Sequence, residues 1–244
     1  MDSNDAENKI GLMDALLSLP LFEENIFLKM QAQNIAMVDD YLCELEKDLL
    51  RESIETDKTP IPSALFLGAL SQMWIFAVYE LLRTWRQMIR EIVEIAGKSF
   101  ASDSGNQRMR SIKKKKIKRP KISEEVIEGY YNIPFRKFAS NPKMIEILLE
   151  AKAAIDPVFR RIVELRIMLA KHEVAGAQGV RANAPGYSRI DMMTGSLYWM
   201  VDKKDGTSET ISRRSLSDGF RQVSLEAVKA EKEKLNICKL DSTK

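Results

Sequence analysis

The most regular feature of the chain is a stripe of apolar positions in alternating steps of four and three, carried by Trp74, Val78, Leu81, Trp85, Met88, Ile92 and Ile95. At about 3.6 residues per turn this spacing keeps every member on one side of a helix, and a side so apolar requires a partner. The stripe returns after Asn141-Pro142 as Met144, Leu148, Ala151, Ile155, Val158, Ile162, Leu165 and Leu169. Upstream, Phe22 to about Ser53 is patterned as a helix with no Gly or Pro inside, and a short helix is predicted from Ile10 to Leu19, ended by Pro20. Thr56 to Pro62 reads as a linker, after which Pro62 or Ser63 opens the next helix and Gly97 closes it as a C-cap. Asp156-Pro157 interrupts the second stripe, either as the start of a fresh helix or as a kink.

Toward the C-terminus the pattern changes. Ser188 to Met193, Ser196 to Val201 and Thr207 to Ser212 read as short strands, with Thr194-Gly195 and Asp205-Gly206 supplying turn chemistry between them. Ser215 to Lys234 reads as a final helix. The predicted fold is therefore mainly α: a bundle of long antiparallel helices, a small C-terminal antiparallel hairpin or three-stranded appendage, and a last helix. The predicted organisation is a helical bundle over 1–180, with a mobile basic insertion at 101–121, and the β-plus-helix appendage over 181–244.

Composition narrows the chemistry. The chain has 244 residues with a globular balance of 45% hydrophobic and 30% charged, two cysteines far apart at Cys43 and Cys238, and one histidine. Two distant cysteines argue against a disulfide framework or a cysteine-based zinc site, one histidine excludes any mechanism needing two in one subunit, and a reducing, cytoplasmic setting is expected. Met1 to Asn8 is polar and acidic, unlike a secretory signal. Glycine-rich phosphate loops and nucleophile-elbow motifs are absent, so no cofactor is expected. Asp39, Asp40, Glu44, Glu46 and Asp48 read as one solvated carboxylate face of a helix, with nothing to mark a metal site. The apolar window Ala64 to Leu82 reads as a buried bundle helix rather than a membrane span, because Ser71, Gln72 and Glu80 lie within it. Trp74, Tyr79 and Trp85 lie on or beside the apolar stripe and read as core rather than as a base-stacking platform.

The net charge of +3 conceals an asymmetry. Arg108, Arg110, Lys113, Lys114, Lys115, Lys116, Lys118, Arg119 and Lys121 occupy a single stretch that contains no acid, and without it the chain is acidic. Such a run attracts RNA or another polyanion through counterion release, or it is a solvated loop. Arg213-Arg214, after the last strand, reads either as a phosphate contact or as surface charge.

The lone His172 continues the second stripe by a step of three from Leu169, and Arg166 lies one residue off that stripe, on its shoulder. The two are about 120° apart around a helix, so long side chains can converge at a groove beside the seam. An imidazole gives or takes a proton near neutral pH, and a guanidinium stabilises phosphate with paired donors.

Arginine, five residues, then histidine in "LRIMLAKHE", near the end of a long bundle helix, resembles the signature of the HEPN superfamily. The upstream "SQMWIFAVYELLRTW", Ser71 to Trp85, is similar to the helix that pairs with it there. The resemblance covers roughly Pro62 to Glu173, and Ile167 stands where many nucleases of that family have a polar residue. It implies a metal-independent endoribonuclease or an RNA-binding relative. His172 would be the acid/base and Arg166 would stabilise phosphate. Two motifs would meet in a homodimer, and a toxin or defence role with an inhibitory protein partner would follow. The alternative class is a non-catalytic helical dimerisation or interaction protein whose basic loop attracts nucleic acid.

Overall fold

A computed structural model describes residues 10–103, 138–170, 180–181, 188–203 and 206–224. Over these residues the protein is mainly helical, with a small antiparallel sheet and a final helix. Helix α1 spans Leu12–Leu17, α2 Ile26–Thr56, α3 Ile61–Asp103 and α4 Pro142–Ala170, and a further helix, α5, covers 213–224. The strands are β1 Val180–Arg181, β2 Arg189–Ile190, β3 Leu197–Lys203 and β4 Ser208–Ser212.

Local chemistry explains the helix starts. Asn25 Oδ1 accepts the Leu28 N–H at 2.9 Å, and Asn141 Oδ1 accepts from the Lys143 and Met144 amides, so two otherwise orphaned helix N-termini are capped. Asp57 ends α2 in the left-handed region at φ 49°, which reverses the chain within the short linker. The Trp74 indole then donates to the Ile35 carbonyl at 3.1 Å and Ser63 to Glu52, which sets α3 antiparallel to α2. Trp85 donates to the Pro20 carbonyl at 2.8 Å, tying α3 to the α1–α2 loop. Both indoles are buried core, as their place on the stripe predicts.

The α3 stripe is buried from Trp74 through Ile92, but the helix does not stop at Gly97. Gly97 is exposed with nothing near its missing Cβ, and its cost of about 1 kcal/mol relative to alanine is too small to end a helix anchored by Met88, Ile92 and Ala96. The helix therefore also takes in 101–103, the first residues of the expected insertion; the rest of that insertion lies outside the described residues. Pro157 likewise sits inside α4 instead of opening a new helix. It removes one backbone hydrogen bond, while Ile155, Val158, Ile162 and Leu165 remain locked in the seam against α3.

Strand β3 is the centre of the sheet. Tyr198 pairs with Arg189 on one edge and Ser212 on the other, and Asp202 with Arg181 and Ser208. Thus β1 and β2 lie end to end along one edge and β4 along the opposite one. Leu197, Trp199 and Val201 alternate inward and join Ile211, Leu216 and Phe220 in the same buried core as the helices. Strand β1 has two residues, too short for alternation to reveal it in the sequence.

Glu209 on β4 joins the sheet to α4 through Arg161 at 2.7 Å and meets Lys203 at 2.6 Å. Partial burial raises its pKa, but Lys203 and Arg161 outweigh this and hold the carboxyl below its ordinary 4.5. A depressed carboxylate stabilises the fold above its unfolded pKa and loses that contribution as pH falls through the folded one. Glu209→Gln is therefore expected to lower stability at pH 7 by up to about 1 kcal/mol. The gap should close in urea titrations below pH 4.5; a gap independent of pH would contradict this.

Candidate nucleic-acid interface

Tyr79 and Arg86 are one heptad apart on α3, and Phe159 and Arg166 one heptad apart on the antiparallel α4, so their side chains alternate along one groove. The Arg86 guanidinium lies 4.4 Å from the Phe159 ring centre, the Phe159 ring stacks on Tyr79 at 6.0 Å and 7°, and the Arg166 guanidinium lies 4.5 Å from the Tyr79 ring centre. The result is a ladder of cation, ring, ring, cation. Arg86 also pairs with Asp156. Arg166 makes no ion pair with any described residue, and its Nε is buried without a hydrogen-bond partner. It is half-buried on the shoulder of the seam, held by a ring rather than by a carboxylate. A guanidinium so placed keeps unshared donors for an anion.

His172 and the basic stretch, comprising Arg108, Arg110, Lys113, Lys114, Lys115, Lys116, Lys118, Arg119 and Lys121, lie outside the described residues. Arg166 is thus the single sequence-predicted site residue whose surroundings are defined.

The outward face of α3 changes character at Tyr79. From Thr59 to Tyr79 there is no charged residue, and Ile61, Leu65, Phe66 and Met73 are exposed. Ile61–Gly97 is long and apolar enough to cross a membrane by length and composition, although Trp74, Ile75, Val78 and Trp85 are buried in the bundle. Beyond Tyr79 the same side carries Arg83, Arg86 and Arg90.

Two readings of charged residues are corrected. Asp39 and Glu46 do not belong to a solvated face; both are fully buried, while Asp40, Glu44 and Asp48 are exposed. Apart from Ala36, the buried positions of α2 run Leu28, Ala32, Ile35, Asp39, Leu42, Glu46, Leu49, Ser53, again in steps of four and three. Asp39 and Glu46 fall in phase with the leucines, and that spacing is the signal by which they were legible. Arg213 is neither a phosphate contact nor a surface charge: its side chain is 1% exposed. It donates to Asp39, to Glu46 Oε1 at 2.7 Å and to Cys43 Sγ at 3.4 Å, and lies 5.8 Å from the Trp74 ring centre. Arg214 takes Glu46 Oε2, while Arg221 and Ser217 take Asp39 Oδ2, each at 2.8 Å. Every carboxylate oxygen of the pair is engaged. Burial works against the Arg213 charge, but the two carboxylates outweigh it and raise its pKa above the ordinary value, so it stays protonated. This network clamps α5 to α2.

No group of three or more His, Cys, Asp or Glu side chains suited to a metal ion occurs among the described residues. The chain matches no known family model, no curated protein and no solved structure.

Proposed function

We propose that the protein is an RNA-binding, metal-independent endoribonuclease of the HEPN type, with Arg166 and His172 as the reacting pair. The observation that supports this reading is Arg166: a half-buried guanidinium with no carboxylate partner among the described residues, held over Tyr79 at one end of the ladder that Phe159 and Arg86 continue. In the proposed reaction His172 takes the proton of a ribose 2′-hydroxyl, which attacks the adjacent phosphorus. The bond to the 5′-oxygen breaks, and that oxygen receives a proton. The products are a 2′,3′-cyclic phosphate and a 5′-hydroxyl. Arg166 offsets the charge that grows on the phosphate oxygens in the transition state. One imidazole cannot be base and acid at the same instant, so a second copy of the chain supplies the other. The uncharged, exposed face of α3 before Tyr79 offers that copy an apolar surface.

The test is cleavage of RNA in EDTA by the wild-type chain, His172→Ala and Arg166→Ala. Loss of the acid/base group is expected to slow cutting by about 10²–10⁴-fold, with folding unchanged by circular dichroism. Wild-type protein that fails to cut, or His172→Ala protein that cuts at the parental rate, overturns the reading. The exposed apolar face equally favours the second reading, a non-catalytic dimerisation protein, and that outcome would leave it standing.

A further inference from the structure

Beside the aromatic ladder, α3 and α4 enclose a groove of about 550 Å³. Its rim carries Arg83, Arg86, Arg90 and Lys152 against one lining carboxylate, Glu94. Glu80 and Asp156 stand nearby, paired with Arg83 and with Arg86 and Lys152. Arg90 is exposed and makes no ion pair among the described residues. Between the cations the wall is apolar, formed by Ile89, Val93, Leu149 and Phe159. Arg83, Arg86 and Arg90 stand on three successive turns; Glu80 and Asp156 offset Arg83, Arg86 and Lys152 in part, and Arg90 is left without an ion-pair partner among the described residues, so the crevice keeps an excess of positive charge.

We propose that this groove holds a single RNA strand, its phosphates on Arg83, Arg90 and Lys152 and its bases against the apolar wall and the Arg86 plane, leading the strand toward Arg166. The proposal rests on the RNA-binding reading above and assigns the surface that carries it out. Arg83, Arg86 and Arg90 are displaced by about 4.5 and 6 Å along the helix axis, steps that a flexible strand of phosphates can follow. Single strands bind where a cationic track runs beside planar or apolar surfaces that take unstacked bases. A duplex hides its bases and has no use for such a wall. The groove is open to an aqueous polymer, and its mixed lining suits neither a purely apolar ligand nor a free inorganic anion.

The experiment uses the full chain carrying His172→Ala, so that no cleavage confuses the signal, and a fluorescein-labelled twelve-residue oligouridylate. Arg83→Glu/Arg90→Glu, both at exposed positions, is compared with Arg51→Glu on α2 as a control of equal charge change per site. The groove variant is expected to weaken binding by about tenfold or more and to flatten the slope of log affinity against log salt by roughly one to two. The control should bind within twofold of the parent. Equal loss in variant and control, or parental affinity in the groove variant, overturns the groove assignment. If the oligonucleotide binds neither parent nor variant while the wild type still cuts RNA in EDTA, the groove is wrong and the nuclease reading survives. Preference for double-stranded over single-stranded RNA, lost in the groove variant, also overturns the single-strand assignment.

Discussion

Arg213→Met is expected to cost about 3–5 kcal/mol, because it strips Arg213 from Asp39 Oδ1 and Glu46 Oε1 and leaves one oxygen of each buried carboxylate unpaired. For a chain of this size that corresponds to a fall in Tm of roughly 6–20 °C. Part of the loss falls on α5, whose attachment to α2 depends on this guanidinium together with Arg214, Ser217 and Arg221. Limited proteolysis should therefore cut within 213–224 before it cuts α2. The triple replacement Asp39→Leu/Glu46→Leu/Arg213→Met removes both charge signs together. It is expected to recover most of the stability, since an apolar set of similar volume avoids the desolvation cost of the ions. Arg214 and Arg221 are partly exposed and can turn to water. A single variant as stable as the parent would show that the clamp contributes nothing, and a triple variant no better than the single would show that the charges are irreplaceable. Urea denaturation reads both.

Gly195→Ala is the second large effect. The turn from β2 to β3 is closed by Asp191, whose carbonyl accepts the Gly195 N–H at 2.7 Å and whose carboxylate accepts from the Met193 amide and the Thr194 hydroxyl. Gly195 sits at φ +74° and presses on α2: a Cβ there would lie 1.9 Å from the Glu46 carbonyl oxygen and 3.1 Å from the Leu50 Cβ. The oxygen belongs to a helix backbone and cannot step aside. Gly206 provides the control. It has φ +84° with nothing within 4 Å of a Cβ. Gly206→Ala should therefore cost only the left-handed strain, about 1 kcal/mol. Gly195→Ala adds the collision and should cost more than about 3 kcal/mol, by lifting the sheet from α2. Equal losses in the two variants, measured by thermal unfolding, would remove the close approach from the account.

Much of this architecture was legible in one dimension. The stripe from Trp74 to Ile92 is buried, as is that from Leu148 to Leu169 except for the half-buried Ala151, and the turns at Gly195 and Gly206 fall where their residues indicated. Errors cluster where a local signal was weaker than the packing around it. Gly97 and Pro157 are helix breakers on average, yet Gly97 is overridden by the buried Met88, Ile92 and Ala96 before it and Pro157 by Ile155 and Val158 on either side. Asp39 and Glu46 carry the charge of surface residues in the phase of core residues. Their heptad positions are those of core residues, and a charge enters a core only when another part of the chain brings its partner.

That last point divides the two sources of information. Short-range periodicity determined the long helices, three of the four strands and the apolar side of α3 and α4, since these depend on residues within a few turns of one another. The sequence also singled out Arg166 and His172. What it could not determine were meetings between residues far apart in the chain: Arg213 with Asp39 and Glu46, Tyr79 with Phe159 and Arg166, Gly195 against the α2 backbone. Only the packing of helix on helix and sheet on helix decided which cations are neutralised inside and which, like Arg166 and Arg90, are left without an ion-pair partner among the described residues. The reason is physical: a buried charge is stabilised only by a counter-charge within a few ångströms, and nearness of that kind is a property of the fold.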